Sequence, residues 1–448
     1  MFRCLLVLIG LFVSTFEISF ATEKPKLVLI VSLDQFRYDY LTRFSPYFGE
    51  RGFNLFLRQG ANFVNAEFAH SITITGPGHA VIMSGTYANV NGIIANNWYD
   101  LQLNKNIYCV EDENSPLIRA HDAGRSPKNF IGTTVGDQLK LSNAGQSKVI
   151  SLALKDRAAI LMGGKLADAA YWLIDSLFVT SSYYMDDLPA WVKRFNAAGK
   201  INAYFGKVWK QSLPESAYHI QGPDDVTEED DNYGMGRTFP HIIDGGNKSI
   251  SKSYFTAFKR SPFASEVLAD FAMSAIVEEQ LGQRGVPDIL CVGFSANDFV
   301  GHAYGPNSHE VMDITICSDR ILEKLFHFVD QKVGLQNCTI LLTGDHGVAP
   351  MPEALSSQNK HVDAIRVNAS TFRNAAETAL NKKFGSLHNS FTWIVSQKSD
   401  NIYFNLAALK AKNIALSEAE QVVKDTLQCL PTIAQVYTHT QLEMVNVA

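Results

Sequence analysis

The sequence predicts an α/β fold: a mostly parallel central sheet with helices on both faces and an inserted cap region. Three observations lead there. Residues 26–33 (KLVLIVSL), 289–294 (ILCVGF) and 339–342 (TILL) are almost unbroken apolar, β-branched runs of strand length. Between them, apolar residues recur at helical spacing, as in residues 263–281 and 311–329. Strands buried on both faces and separated by helices belong in a parallel sheet, because each crossover lays a helix on one face. The 448 residues are 46% hydrophobic and 19% charged, which is globular composition and excludes disorder or a disulfide-dense miniprotein. Lys+Arg total 39 against 45 Asp+Glu, a net charge of -6 without a basic stripe, so no nucleic acid is expected as the main partner.

At the start of the chain, Arg3, an apolar run over residues 4–13 and Ser19-Phe20-Ala21 read as a secretory signal cut after Ala21. Residues 1–21 are then removed, and 22–448 form a secreted or periplasmic protein. The run is shorter than the ~18 residues of a membrane span. Glu17 interrupts its end, so no stable membrane anchor is expected. Cleavage leaves Cys109, Cys291, Cys317, Cys338 and Cys429, an odd set without a CxxC pair. A cysteine zinc site does not fit that pattern, while one or two disulfides remain open.

The first strand ends at Asp34. Next comes SITITGPGHA (71–80), in which Thr75 precedes Gly76-Pro77-Gly78, a turn that exposes its hydroxyl before a helix. Two readings stand side by side. Thr75 is a helix cap, or it is a nucleophile activated by a metal beside helix amides suited to phosphate. Asn96 in GIIANNWYD is a turn residue or a donor to an anion. Residues 149–154 (VISLAL) form another strand, ending at Lys155-Asp156-Arg157. Residues two apart on an extended chain share a side, which places Lys155 and Arg157 to meet one anion.

Residues 165–262 are rich in aromatics and loops and read as a cap inserted into a single domain. The acidic run 224–231 (DDVTEEDD) reads as a solvated loop, with calcium as the alternative. The second strand leads into Asp298-x-x-x-His302 and the third into Asp345-His346. Near the end, Ser417-x-x-Glu420 reads as a capping box. Ligands gather beyond the carboxyl ends of such strands. An Asp there is often a cap and a lone His a satisfied polar group. Five together, Asp34, Asp298, His302, Asp345 and His346, make the oxygen and nitrogen ligand set of a catalytic zinc.

SLDQFRYD, TGPGHA, GIIANNWYD, LKDRAAIL, ANDFVGHAYGPNS and TGDHG, taken together, resemble the alkaline phosphatase and nucleotide pyrophosphatase superfamily. The resemblance is closest to bacterial exported alkaline phosphatases with a threonine nucleophile and a Lys-x-Arg pair, and it covers most of the mature chain. It implies two zinc ions. Asp34, Thr75, Asp345 and His346 match the ligands of one, and Asp298 and His302 match two ligands of the other. It also implies that Thr75 is the nucleophile, Asn96 a phosphoryl-oxygen donor, and Lys155 with Arg157 the pair tied to monoester preference. The expected function is therefore zinc-dependent hydrolysis of small-molecule phosphate monoesters through a phosphothreonine.

One departure stands out. Family members carry a third ligand of the second zinc, a histidine in a Gly/His-rich segment near the C-terminus. Here His361, His388 and His439 follow His346, and none stands in such a segment. The expectation is a truncated or split product with an incomplete second zinc site and weak or absent activity. The alternatives are a phosphodiesterase or nucleotide pyrophosphatase on the same fold, or a non-catalytic metal- or phosphate-binding remnant. No Cys/Ser-x-Pro-x-Arg motif supports a sulfatase.

Overall fold

Six apolar runs pair edge to edge in the computed structural model, which describes residues 24–358, 364–388, 391–398 and 400–444. The expected signal over residues 1–21 and His361 lie outside the described residues. The strands are β1 (Leu27–Leu33), β2 (Val149–Ala153), β3 (Ala169–Ile174), β4 (Leu177–Val179), β5 (Asp288–Phe294) and β6 (Cys338–Gly344). Their order is β6-β1-β5-β2-β3-β4, and every pairing is parallel except β3 with β4. The five principal helices are α1 (Thr75–Ser84), α2 (Asp156–Gly163), α3 (Pro262–Glu278), α4 (Ala296–Tyr304) and α5 (His309–Lys332). The two periodic stretches, 263–281 and 311–329, thus become α3 and α5 within a few residues of their expected bounds.

Alternation along β1 shows why the strand is apolar at every position but Ser32. Leu27, Leu29, Val31 and Leu33 join one core with residues of α3 and α5, while Ile30 packs the opposite way with Met83 of α1 and Met162 of α2. Side chains two apart share a face, so a strand covered on both sides needs no polar positions. At the outer edge the cover is one-sided: Leu341 of β6 is 47% exposed. Among the described residues, no helix is long and apolar enough to cross a membrane. All five described cysteines are free, so neither of the disulfides left open by the sequence forms.

Part of the stretch 165–262, expected to form a cap, belongs to the central sheet. Ala169–Ile174 and Leu177–Val179 are strands of the central sheet, an apolar pair that sequence reading assigned to the insertion. The remainder, through residue 261, packs on the first turns of α5. Trp209 Nε1 donates to Asp313 Oδ2 at 2.6 Å, and His241 Nε2 lies 2.9 Å from Glu310 Oε1. The C-terminal residues build a separate small core around Trp393, Ala376, Leu380 and Leu427. The capping box does not form. Ser417 is inside the helix Leu416–Gln428, whose N-cap is Ala415, and Glu420 instead accepts the Thr440 hydroxyl at 2.5 Å.

The acidic run is not uniformly solvated either. Asp230 N–H donates to Ala303 O at 2.9 Å, which draws Glu229 inward until it is 7% exposed. Burial, then the charges of Glu310 and Asp224, push the Glu229 carboxyl up from 4.5 to about 9. A carboxyl whose folded pKa is raised contributes stability that is fully present below its unfolded value and lost as pH rises toward the folded one. Glu229→Gln removes that loss. The expected result is a melting temperature equal to wild type at pH 4 and above it at pH 9; an equal difference at both would contradict the assignment.

Candidate active site

Register brings the acids together. Leu33 at the end of β1 stands beside Phe294 on one side and Gly344 on the other. The next residues, Asp34, Ser295 and Asp345, therefore emerge at one sheet edge, and Asp298 follows in the first turn of α4. All three carboxylates are buried. The α1 helix meets the same edge. Gly78 makes this possible, because a Cβ there would stand 2.2 Å from the Asp345 carbonyl oxygen.

Thr75 is the first residue of α1, and the helix has no side-chain cap. Its hydroxyl is thus free of the capping role and points elsewhere. Oγ1 lies 3.3 Å from Lys155 Nζ and 3.5 Å from Arg157 Nη2. Lys155 and Arg157 do converge, but not through strand alternation. The strand stops at Ala153, Lys155 is the N-cap of α2 and Arg157 sits in its first turn. Asp156 turns away between them, accepting from Tyr108 Oη at 2.5 Å and Arg125 Nε at 2.6 Å. Burial would lower the pKa of Arg157, but Tyr108, Asp156 and Asp34 together raise it, so the guanidinium stays charged. Asn96 reaches the same helix end, with Oδ1 accepting from Gly76 N–H at 2.7 Å.

Lys155 Nζ also lies 2.7 Å from Asp34 Oδ2 and 2.5 Å from Asp298 Oδ2. Its ammonium is therefore the counter-ion of two carboxylates as well as a neighbour of Thr75. Burial and Asp34 would raise the Asp298 carboxyl, but Lys155 and His302 outweigh them and lower it. Burial would likewise push the Asp345 carboxyl up; His79, His346 and Lys155 overcome this and hold it at about 2. Burial alone would lower His346, yet its contacts with Asp34 and Asp345 raise it to about 9.

Asp34, Asp345 and His346 fit a metal ion. They present ligand atoms that all lie within 4.8 Å of one another, and all three residues are buried. His346 Nε2 is 3.3 Å from Asp34 Oδ1 and 3.7 Å from Asp345 Oδ2, and neither oxygen accepts a well-formed hydrogen bond. Buried carboxylate oxygens left without donors are costly unless a cation meets them. Two acids and an imidazole are the donors zinc takes. This is the one such cluster of three among the described residues. His302 Nε2 lies 3.2 Å from Asp298 Oδ1, on a side chain 66% exposed, and neither residue belongs to that cluster.

Sequence reading missed His79. It is fully buried, with Nδ1 at 2.9 Å from Thr75 O and 3.1 Å from Asp345 Oδ2, and Nε2 at 3.2 Å from Ser32 Oγ. The signal was present, since a residue four after Thr75 on a helix lies on its face.

Residues 28–442 match the family described as type I phosphodiesterase / nucleotide pyrophosphatase. The alkaline phosphatase PhoV of Synechococcus elongatus is 37% identical over 341 residues, 75% of this chain and 61% of that protein. The alkaline phosphatase PafA of Elizabethkingia meningoseptica is 31% identical over 432 residues, 94% of this chain and 77% of that protein. A Myroides odoratus protein named calcium-transporting ATPase is 33% identical over 419 residues, 92% and 74% of the two chains. The chain thus spans about three fifths of the Synechococcus relative. The crystal structure of wild-type PafA matches with a TM-score of 0.88 at 30% identity, over 96% of this chain and 81% of that one. A PafA variant substituted at a threonine, an asparagine, a lysine and an arginine matches at 0.87. The central sheet and its flanking helices are those of PafA, and the chain belongs to the type I phosphodiesterase / nucleotide pyrophosphatase family.

Proposed function

We propose that this chain hydrolyses small-molecule phosphate monoesters, with Thr75 as the nucleophile and a phosphothreonine as the intermediate. The observation that carries the reading is the position of Thr75 Oγ1, released from capping and held within 3.5 Å of two cationic side chains. It receives support from the PafA variant, whose substituted threonine and asparagine, and lysine and arginine, have the same spacings as Thr75 and Asn96, and Lys155 and Arg157. The alkaline phosphatase names of the relatives agree with it.

Asp34, Asp345 and His346, with Thr75 Oγ1, would hold one zinc ion, and Asp298 and His302 two sides of a second. Bound zinc supplies Lewis acidity and lowers the pKa of a hydroxyl to which it is coordinated. The chain's own groups do the remainder. The Thr75 hydroxyl gives its proton to solvent and its oxygen bonds to phosphorus as the bond to the leaving alcohol oxygen breaks. That oxygen takes a proton from water, and a water molecule then hydrolyses the Thr75–phosphorus ester, releasing inorganic phosphate. Arg157 offers a planar fork and Lys155 a point charge to the non-bridging oxygens. The Gly76 amide is already engaged by Asn96 Oδ1, which leaves the Asn96 side-chain N–H groups for the same oxygens. Export through the signal at residues 1–21 accompanies this reading.

A diester carries one fewer charged oxygen for Lys155 and Arg157 to meet. Comparing an aryl monoester with a diester separates the two activities. Lys155→Ala is expected to lower the monoester rate by about 10²-fold while moving the diester rate much less. Equal losses on both substrates, or a wild-type preference for the diester, would favour the phosphodiesterase. A chain that binds metal yet never forms phosphothreonine would be a remnant.

A further inference from the structure

We propose that Gln35 is the positioning residue that couples the two metal-ligand sets, aiming Asp345 and Asp298 at the same time. The inference rests on the metal-dependent reading above and deepens it. Gln35 directly follows Asp34 and is buried. Its backbone N–H donates to Asp345 Oδ1 at 3.0 Å, and its side-chain Nε2 donates to Asp298 Oδ1 at 3.1 Å. One residue thus grips an acid from each set, reaching past the end of β6 and into the first turn of α4.

The consequence lies in which oxygen is taken. A carboxylate with one oxygen fixed by hydrogen bonds presents the other in a defined direction. Asp345 Oδ1 accepts from both Gln35 N–H and His346 N–H, the latter at 2.8 Å, which leaves Oδ2 toward His346 Nε2. Asp298 Oδ1 accepts from Gln35 Nε2 on one side and meets His302 Nε2 at 3.2 Å on the other, while Oδ2 is held by Lys155, so the amide fixes the carboxylate with Oδ1 turned to its partner histidine.

The surroundings are arranged around this bridge. Gln35 has φ of 61°, a left-handed backbone that residues with a Cβ seldom adopt and that clusters at functional sites. Asn297 Nδ2 fixes the bend by donating to Asp34 O at 3.1 Å and Gln35 O at 3.3 Å. Gly301 opens the lane for the side chain, since a Cβ there would stand 2.0 Å from Gln35 Oε1. That Oε1 is buried without a donor, so the amide sits where it satisfies Asp298 rather than itself.

The test measures zinc by elemental analysis and its affinity by chelator competition on the full chain. Gln35→Gly deletes the amide while relaxing the backbone, and Gln35→Met deletes it while keeping the volume. Both are expected to lose about 10–100-fold in zinc affinity, with metal-free melting temperatures close to wild type. Gly301→Ala should act in the same direction by displacing the amide. Wild-type affinity in both Gln35 variants overturns the inference alone, as does a loss seen only in variants whose metal-free melting temperature collapses. A wild-type chain that takes up no zinc overturns the metal-dependent reading with it.

Discussion

Thr75→Ala is expected to eliminate phosphoenzyme formation and to reduce turnover of an aryl phosphate by about 10⁴-fold or more relative to the wild-type chain. The size follows from the chemistry. Alanine removes the atom that bonds to phosphorus, and among the described residues no other hydroxyl bonds both Lys155 Nζ and Arg157 Nη2. The substitution is also structurally mild, because the Thr75 side chain makes no capping hydrogen bond and alanine favours the helix. A stability effect therefore does not mask the catalytic one. Acid quenching followed by mass spectrometry of the peptide containing residue 75 gives the direct reading. Phosphate on that peptide in the wild type, and none in Thr75→Ala, is the expected pair. An alanine variant with wild-type turnover would falsify the assignment of the nucleophile.

Removing metal should have an effect as large. A chelator is expected to abolish turnover, and zinc to restore it where magnesium and calcium do not, because His346 supplies nitrogen to a site whose other donors are carboxylates. Asp345→Asn tests the same site from the protein side. The Asp345 carboxyl is held at about 2, so its charge is present throughout the neutral range and asparagine removes it outright. The expected loss of zinc affinity exceeds the roughly 100-fold that an outer hydrogen-bonding partner costs. Full reactivation by magnesium, or an Asp345→Asn chain that binds zinc as tightly as wild type, would show that the cluster has another role.

The strand runs and helical periodicity were legible because burial on both faces of a sheet, or on one face of a helix, writes itself into local sequence. The acids after β1 and β6 were legible for the same reason, each standing just beyond the end of an apolar run. Other features were decided elsewhere. The pair Leu177–Val179 with Ala169–Ile174 reads as part of an aromatic insertion until its pairing to β2 is seen. Lys155 and Arg157 face one hydroxyl through a helix start, where extended geometry had been expected. Glu229 belongs to a run of six acids in eight residues, and only its neighbours on α4 and α5 make it a buried carboxyl.

What the sequence determined by itself was the class of fold and the inventory of reactive groups, since both depend on residue type and short-range spacing. Tertiary structure decided which atoms of those groups face one another. Register between β1, β5 and β6 set the separation of Asp34, Asp298 and Asp345, and Gln35 and His79 fixed the orientation of their oxygens. Chain positions hundreds of residues apart carry no information about distance until hydrogen bonds between strands close the sheet, and that closure is a property of the whole fold.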